Sequence, residues 1–456
     1  MTVARDQKIV VVGAGLVGSL LAVMLGKRGY RIDLYEKRGD ARKVDADSGR
    51  SINLALSSRG ITALGQAGLY EKVKPLLIPM RGRMLHQADG SEVFSPYGQR
   101  EHEVIYSVPR DELNKLMVNE AVVDDPVNVH FVWECLDVDF ERKIVRFENA
   151  INGMVKEESF DLIIGADGAG SRVRREIMRA SGGESCSEFL EHDYKELEIP
   201  AAKNGGWQIE KEALHIWPRG GFMLIALPNL DGSFTVTLFL PKQGDPSFES
   251  LVDDDSVAAF FRDQFPSAIP LMPDLLQDWS ENQAGRLGTV RCSPWHIGGC
   301  GLILGDASHA IVPFHGQGMN SGFEDCSELL RLLDVFDDDW SKVLSEFTRQ
   351  RKPNADAIAA MAIENHATMQ RGVTDPKFHL KKELGFELER RYPETFIPRY
   401  SRVMFHNIPY AQAQRLGAIQ SEILGRLVEN VETIKDVDYG LAETLIRSRL
   451  KEGGDQ

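Results

Sequence analysis

The sequence predicts an α/β protein with a βαβ unit at its N-terminus, an antiparallel sheet in its middle part and a helical C-terminal part. A short β-branched run at 9–12 ends at a glycine, and apolar residues at helical spacing and a second strand at 31–35 follow it. Between 213 and 240, three apolar runs are joined by short polar connections, which is typical of an antiparallel meander. From about Trp340 onward, apolar residues recur every three or four positions, as they do in helices.

Composition restricts the functional class of the chain. Its 456 residues include 43% hydrophobic and 27% charged residues, values typical of a globular protein with more than one substructure. The formal net charge of -15 disfavours nonspecific binding to nucleic acid, because such binding depends on neutralising phosphates with basic side chains.

The cysteines and the apolar runs favour a cytoplasmic protein without a membrane span. The five cysteines are scattered, form no C-x-x-C pair and fit a reducing compartment. The N-terminus lacks the features of a signal peptide, and no run of 18 or more apolar residues occurs.

The first motif is Gly13-Ala14-Gly15-Leu16-Val17-Gly18, which follows the first strand and opens a helix. In this context, G-x-G-x-x-G predicts a site where the backbone approaches a pyrophosphate at a helix N-terminus. Glu36, at the end of the second strand, is placed to accept hydrogen bonds from ribose hydroxyls. The alternative is a glycine-rich turn without a ligand, and the motif alone does not distinguish NAD from FAD.

Two further turns make the prediction more specific. Asp167-Gly168 follows a predicted strand at 160–166, and Gly305-Asp306 follows another at 301–304, with the segment 313–320 beyond it. Each turn alone is common. Together with the first motif they resemble the signatures of the FAD-dependent aromatic hydroxylases, the single-component flavoprotein monooxygenases.

This resemblance implies FAD as the cofactor and a Rossmann-type FAD-binding domain of the aromatic-hydroxylase type. It places Asp306 at the ribityl chain and Arg110 in contact with FAD, while the helix that opens near Gly318 would face the isoalloxazine. No second G-x-G-x-x-G follows a strand, so NADPH is expected to act as a transient reductant. The predicted cofactor-binding residues are Gly13, Gly15, Leu16, Val17, Gly18, Glu36, Leu54, Ala55, Arg110, Asp306, Gly316, Gly318, Met319 and Asn320.

Longer strings resemble the members of this family that hydroxylate kynurenine. They lie at 50–56, 80–84, 214–218, 234–239, 312–320 and 396–401. The resemblance implies L-kynurenine and O2 as substrates. The oxygen would add to the flavin C4a carbon, and the resulting hydroperoxide would hydroxylate the ring carbon ortho to the amine.

An α-amino acid with an aniline ring needs a carboxylate clamp and an apolar slot. By resemblance Arg83 binds the carboxylate, with hydrogen bonds from Tyr97, Asn365 and Tyr400. Arg81 would share the strand face of Arg83, so periodicity does not choose between these two arginines. The resemblance assigns Leu214, Ile225, Phe239, Pro313 and Phe314 to the ring-facing wall, and Met369 is a similar case.

No side chain is predicted to be catalytic, because the flavin carries the chemistry, and no metal is expected. His315 invites a general-base role, since its ordinary pKa lies near neutrality. The amino group of the substrate already donates electron density to the ring, which favours a pocket-lining role instead.

The expected organisation has three parts. The FAD-binding domain is predicted at 1–75, 105–180 and 290–350, the antiparallel-sheet substrate domain at 76–104 and 181–289, and the helical C-terminal region at 351–456. Eukaryotic relatives carry a C-terminal membrane anchor, whereas the tail here is short and polar, so a soluble monomer or homodimer is expected. Two alternatives stay open: a related hydroxylase of another aromatic acid, and a flavin-binding sensor without turnover.

Overall fold

The structure is a computed structural model that describes residues 7–43, 53–123, 127–371 and 376–450. Part of one similarity string (residues 50–52) and the polar tail beyond 450 lie outside these ranges. The chain forms two compact units. Unit 1 comprises Met1–Ile78, Tyr106–Leu190 and Leu287–Ala359, and unit 2 comprises Pro79–Ile105, Glu191–Arg286 and Ala360–Gln456. The three-part division remains a prediction.

Strands and helices are numbered in chain order. The strands are β1 (Lys8–Val12), β2 (Arg31–Glu36), β3 (Asn53–Leu56), β4 (Ile78–Met80), β5 (Gly82–His86), β6 (Glu92–Pro96), β7 (Ile105–Pro109), β8 (Val127–Phe131), β9 (Trp133–Asp139), β10 (Ile144–Asn149), β11 (Val155–Ser159), β12 (Leu162–Gly165), β13 (Glu184–Ile199), β14 (Ala213–Pro218), β15 (Met223–Pro228), β16 (Phe234–Pro241), β17 (Gly285–Ser293), β18 (His296–Ile297) and β19 (Gly301–Ile303). The helices are α1 (Leu16–Lys27), α2 (Ser58–Gln66), α3 (Tyr70–Val73), α4 (Arg110–Val123), α5 (Arg172–Ser181), α6 (Asp254–Gln264), α7 (Leu275–Glu281), α8 (Asp306–His309), α9 (Gly318–Val335), α10 (Trp340–Arg371), α11 (Pro376–Arg391), α12 (Arg399–Phe405), α13 (Tyr410–Leu427) and α14 (Tyr439–Arg449).

Unit 1 is organised around a six-stranded sheet with the order β18-β19-β12-β1-β2-β8. The pairs β1–β2, β1–β12, β12–β19 and β2–β8 are parallel, and the residues of β1 and β12 are almost completely buried. This burial explains why the two strands read as continuous apolar runs in the sequence. The predicted N-terminal βαβ unit is confirmed as β1, α1 and β2.

Unit 2 contains an antiparallel meander of β14, β15 and β16, as the sequence predicts. On its other side β14 pairs in parallel with β5, and β5 pairs with β6. Side chains alternate between the two faces of such a sheet. The register therefore places one set of side chains, Arg83, Leu214, Ile225 and Phe239, on a single face, which we call the Arg83 face.

The opposite face of this sheet belongs to a hydrophobic core. It contributes Trp217, Leu224 and Leu238, which pack in one cluster with Phe261 and Phe265 from the α6 region. All five of these side chains are completely buried. A shift of the strands by one residue would move the side chains of this core to the opposite face of the sheet. The core therefore fixes the register of the strands, and with it the set of side chains on the Arg83 face.

The C-terminal helices of unit 2 have a hydrophobic cluster of their own. It joins leucines of α11 to Leu416, Ile423 and Leu427 of α13 and to Ile446 of α14. The predicted helical region beyond Trp340 is thereby confirmed. Within the described ranges, none of the helices combines the length and the hydrophobicity that crossing a bilayer requires.

Candidate functional site

The glycine-rich turn between β1 and α1 owes its shape to glycines that no other residue could replace without movement. Gly13 has φ of 101°, in the left-handed region, and a Cβ there would lie 2.5 Å from the carbonyl oxygen of Ala166. A Cβ on Gly18 would lie 1.9 Å from the carbonyl oxygen of Gly13. These two glycines are therefore required by the fold itself.

Gly15 differs from its two neighbours, because a Cβ there would meet no atom within 4 Å. It stands at the N-terminus of α1, where no side chain caps the helix, and Leu16 and Val17 form the first turn. Free space beside uncapped backbone N–H groups is what a pyrophosphate requires. This open cradle is the observation that fits the diphosphate of a dinucleotide.

Glu36 is buried at the end of β2, beside the same turn. Its Oε2 accepts a hydrogen bond of 3.0 Å from the backbone N–H of Ala14, and its Oε1 accepts from Arg38. The Ala14 carbonyl in turn accepts a hydrogen bond of 3.0 Å from the side-chain amide of Asn114 on α4. Sequence reasoning missed this role of Asn114, because the residue is a hundred positions away from the turn and no local pattern marks it.

The Gly305-Asp306 turn places Asp306 in an exposed position at the start of α8. The buried carboxylate of Asp325 stabilises the turn. Its Oδ2 accepts a hydrogen bond from the Gly305 N–H at 2.9 Å and contacts His309 Nε2 at 2.6 Å. Arg351 donates to the other oxygen of Asp325 at 2.8 Å. Burial raises the pKa of Asp325, but His309 and Arg351 outweigh this effect and hold the pKa at about 2. Asp325 is thus an ionised support of the turn that sequence reasoning missed.

Asn320 joins the start of α9 to β3. Its side-chain amide donates to the carbonyl oxygens of Ala55 at 2.8 Å and Gly316 at 2.9 Å, and its Oδ1 accepts from the Ser57 N–H at 2.8 Å. Both amide donors are used inside the protein, so Asn320 shapes the site by holding β3, which carries Leu54 and Ala55, rather than by offering its amide to a ligand.

The remaining predicted cofactor residues lie at the ends of these elements. Gly316 has φ of 64°, Gly318 is the first residue of α9, and Met319 packs partly buried against the core of unit 1. Arg110 is exposed as the first residue of α4. The open space at Gly15, the exposed carboxylate of Asp306 and the exposed side chain of Arg110, all in unit 1, together fit FAD.

Three of the residues predicted to bind a carboxylate lie together in unit 2. The guanidinium carbon of Arg83 lies 5.1 Å from the ring centre of Tyr400 and 5.6 Å from that of Tyr97, and the two rings stack with 5.6 Å between their centres. Arg83 keeps partial solvent contact although protein surrounds it, which is the geometry of a cavity wall. Within the described parts of the chain, its Nε and the Tyr97 hydroxyl are both buried without a hydrogen-bond partner, and no carboxylate pairs with Arg83.

The two arginines that periodicity left open have different surroundings in the structure. Arg81 lies between β4 and β5, and its backbone continues the sheet through hydrogen bonds with Glu212 and Tyr97. Its side chain is exposed, and its Nε pairs with Glu212 at 2.8 Å. Arg83 instead lies beside the rings of Tyr97 and Tyr400.

Asn365 and Tyr400 are carried by two helices that a surface ion pair connects. Arg399, next to Tyr400, donates to Glu364, next to Asn365, at 2.6 Å. The Asn365 amide also lies 3.6 Å from the sulfur of the buried Met369, one turn further along α10.

The predicted ring-facing residues divide between the two units. Leu214, Ile225 and Phe239 share the Arg83 face of unit 2, where Leu214 is the direct strand partner of Arg83. In unit 1, Phe314 and His315 are buried and Pro313 is exposed, within one short 3-10 turn.

These features define a class of protein, the flavin-dependent monooxygenases. The family described as "FAD binding domain" matches residues 6–362 of the chain. Among solved structures, 2-methyl-3-hydroxypyridine-5-carboxylic acid oxygenase is similar with a TM-score of 0.66 at 18% identity, covering 82% of this chain and 95% of that one. The p-nitrophenol 4-monooxygenase of Pseudomonas putida DLL-E4 has a TM-score of 0.65 at 18% identity and covers 84% of this chain and 94% of that one. Both likenesses confirm the fold.

Relatives that align over nearly the full length of the chain show which family within this class it belongs to. The kynurenine 3-monooxygenase of Stenotrophomonas maltophilia is 45% identical over 99% of this chain and 98% of its own length. That of Myxococcus xanthus is also 45% identical, over 99% and 97%, and that of Legionella pneumophila (strain Corby) is 43% identical, over 96% and 97%. The chain belongs to the kynurenine 3-monooxygenase family, a family of FAD-dependent monooxygenases.

Proposed function

We propose that this protein converts L-kynurenine to 3-hydroxykynurenine, consuming NADPH and O2 and releasing NADP⁺ and water. The observation that carries the proposal is Arg83, which lies beside the stacked Tyr97 and Tyr400 rings with its Nε lacking a hydrogen-bond partner among the described residues, on the same sheet face as an apolar surface. A carboxylate at Arg83 and an aromatic ring along Leu214 and Ile225 suit an aromatic amino acid.

The glycine turn, Asp306 and the start of α9 would hold FAD, which would supply the redox chemistry, hydride acceptance from NADPH and activation of O2. The side chains bind and orient the substrate. The planar guanidinium of Arg83 offers two parallel N–H donors to a carboxylate, and the buried Tyr97 hydroxyl offers a third donor. Burial raises the pKa of Tyr97 well above its ordinary value, so this hydroxyl stays protonated and able to donate.

The apolar residues Leu214, Ile225 and Phe239 would hold the aniline ring and exclude water from it. Asn365 of α10, whose amide lies 3.6 Å from the sulfur of Met369, would add a hydrogen bond at the amino-acid end. Hydroxylation beside an amine needs no base to activate the ring, so the proposal assigns His315 no proton transfer.

Action in the cytoplasm, as a monomer or homodimer, is part of the same proposal. It is supported by the five cysteines, all of which are free thiols, with Cys135, Cys292 and Cys326 buried. Unpaired cysteines are typical of a reducing compartment.

The direct test supplies the purified FAD-loaded protein with NADPH, ¹⁸O2 and L-kynurenine and analyses the product by mass spectrometry. We expect 3-hydroxykynurenine that carries one labelled oxygen atom. Other aromatic acids, such as 4-hydroxybenzoate, serve as competing substrates. Preferential turnover of one of them, or flavin binding without any turnover, would contradict the proposal.

A further inference from the structure

A second cation, which is partly buried, lies beside the Arg83 face of unit 2. Lys382, on α11, donates from its ammonium group to the hydroxyl of Ser95 and approaches the carbonyl oxygen of Pro96 at 3.5 Å. The ring of Phe386 lies 5.7 Å from the same nitrogen. No described carboxylate forms an ion pair with Lys382, although the side chain is partly removed from solvent.

The sheet register places this ammonium next to Arg83. Ser95 of β6 is the direct antiparallel partner of Arg83 of β5, so the two side chains project from the same face. The Cβ atoms of such partners are about 5 Å apart. An ammonium group bonded to Ser95 therefore lies within the reach of a ligand that Arg83 holds.

The positive charges of Lys382 and Arg83 repel each other. Burial, and after it the positive charge of Arg83, lower the pKa of Lys382 to about 8. Two neighbouring cations without an anion are unfavourable, because each disfavours the charged form of the other. A bound carboxylate would remove this repulsion, and the buried Tyr97 hydroxyl, which has no partner among the described residues, would gain an acceptor.

Hydrogen bonds near Lys382 fix the position of α11 relative to the chain segment that follows Tyr97. The side-chain amide of Gln99 donates to the Phe386 carbonyl at 3.0 Å and to Glu389 at 2.8 Å, and Arg100 donates to Glu389 at 3.1 Å. Gln99 and Arg100 follow Tyr97 in the same segment of chain. The helix that carries Lys382 is thus anchored to the segment that carries Tyr97.

We propose that Lys382 is a second binding residue for the carboxylate of the substrate and acts together with Arg83 to select amino acids over their uncharged analogues. The proposal rests on the proposed function, since it takes the ligand to be an α-amino acid with a free carboxylate. Arg83 binds two oxygens through its planar fork, and the compact ammonium of Lys382 adds a donor from the α11 side.

The test compares L-kynurenine with its carboxamide, which has the same ring and amine but no anionic group. Dissociation constants of both ligands are measured by calorimetry on FAD-loaded wild-type, Lys382→Met and Lys382→Arg protein. In Lys382→Met we expect the dissociation constant of L-kynurenine to rise about 10-fold to 100-fold, the range for a lost charge-assisted hydrogen bond, and that of the carboxamide to change little. Lys382→Arg, which keeps the charge, is expected to retain most of the affinity.

Lys381→Met is the matched control, because it removes a neighbouring charge from the same helix and should leave both constants unchanged. Flavin absorbance and thermal melting of each variant report whether the fold is intact. Equal affinity of wild type and Lys382→Met for L-kynurenine, or an equal loss for both ligands, would overturn the role of Lys382 while leaving the proposed function in place. If wild-type protein does not bind L-kynurenine at all, the proposed function fails and the role of Lys382 fails with it.

Discussion

The glycine turn of unit 1 and the Arg83 face of unit 2 are built in opposite ways. The turn consists of six consecutive residues whose backbone makes the site, and two of its glycines are required by the close approach of other backbone atoms. The Arg83 face collects side chains from β5, β14, β15 and β16, and its tyrosines come from two further segments. A backbone site is thus specified locally, whereas a side-chain site depends on strand register and on helices far along the chain.

This difference also separates stability from binding. In the turn, the atoms that fold the chain and the atoms that would hold the cofactor are almost the same. In the sheet of unit 2, the core face provides the stability, and beside the Arg83 face the Nε of Arg83 and the hydroxyl of Tyr97 lack hydrogen-bond partners within the described ranges. Unsatisfied buried polar groups lower stability, so their presence indicates a ligand.

The largest expected effect distinguishes Gly18, which is required for folding, from Gly15, which leaves space for the cofactor. Gly18→Ala would place a methyl group 1.9 Å from the Gly13 carbonyl oxygen, so we expect the loss of bound FAD and destabilisation by about 3 kcal/mol or more. Gly15→Ala would meet no protein atom, and its extended backbone, with φ of -71°, accepts alanine. It should leave the thermal midpoint of the FAD-free protein unchanged and still weaken FAD binding.

Flavin absorbance after purification and melting of FAD-free protein measure the two effects separately. Gly65→Ala is the control, since Gly65 lies in α2 and an added Cβ meets nothing within 4 Å. If Gly15→Ala and Gly18→Ala behave alike, the distinction between folding and binding glycines is lost.

The second effect concerns the clamp of unit 2. Arg83→Met should raise the dissociation constant of L-kynurenine about 100-fold or more, because a buried charged hydrogen-bonding partner is removed. FAD content should stay the same. Arg81→Met is the control: its exposed pair with Glu212 contributes little, so both affinities should be retained. Titration of each variant with L-kynurenine provides the measurement, and a similar loss of FAD in Arg83→Met would contradict the separation of the two sites.

A third, smaller effect has opposite signs for stability and binding. Tyr97→Phe removes a buried hydroxyl that has no hydrogen-bond partner among the described residues, so ligand-free protein should become more stable by about 1 kcal/mol. The same change should weaken L-kynurenine binding about tenfold. Tyr439→Phe, which removes a hydroxyl bonded to the Ile434 carbonyl, should lower stability without changing binding. Chemical denaturation and calorimetry report the two quantities, and a fall in the stability of Tyr97→Phe would indicate that its hydroxyl is already paired.

A fourth effect, spread over several pH units, tests the core side of the sheet. His86 Nε2 and His215 Nδ1 are 2.9 Å apart, a contact that requires one of the two nitrogens to lack a proton. Burial lowers the pKa of both histidines to about 4, with Arg219 adding to the effect on His86. In the unfolded chain their pKa returns to about 6.5, so the unfolded state binds more protons below that value and stability should fall by about 2 to 3 kcal/mol for each histidine between pH 6.5 and 4.

Melting curves from pH 7.5 to 4.5 check this prediction. His86→Gln should be less stable at pH 7.5 but should lose less stability on acidification, because one of the buried titrating groups is gone. His102→Gln, at an exposed position, should follow the wild type. An unchanged slope in His86→Gln would mean that other groups cause the acid sensitivity.

Local patterns determined a large part of the fold. The run at 9–12, the glycine turn and the strand at 31–35 predict a βαβ unit because each depends only on neighbours in the chain: β-branched residues, a left-handed glycine and helical periodicity. The meander between 213 and 240 was predictable for the same reason. The roles of the individual site residues in binding stay predictions, since the fold and the family do not test them.

The tertiary structure alone decided which polar residues matter around the sites. The sequence alone could not choose between Arg81 and Arg83, because the surroundings of Arg83 include a tyrosine some 300 positions away in the chain. Asp325, Asn114 and Lys382 carry no local signal either, since each acts on a segment remote in the chain. Backbone conformation is governed by local sterics that a sequence reveals, whereas the partners of a side chain are set by packing between distant segments.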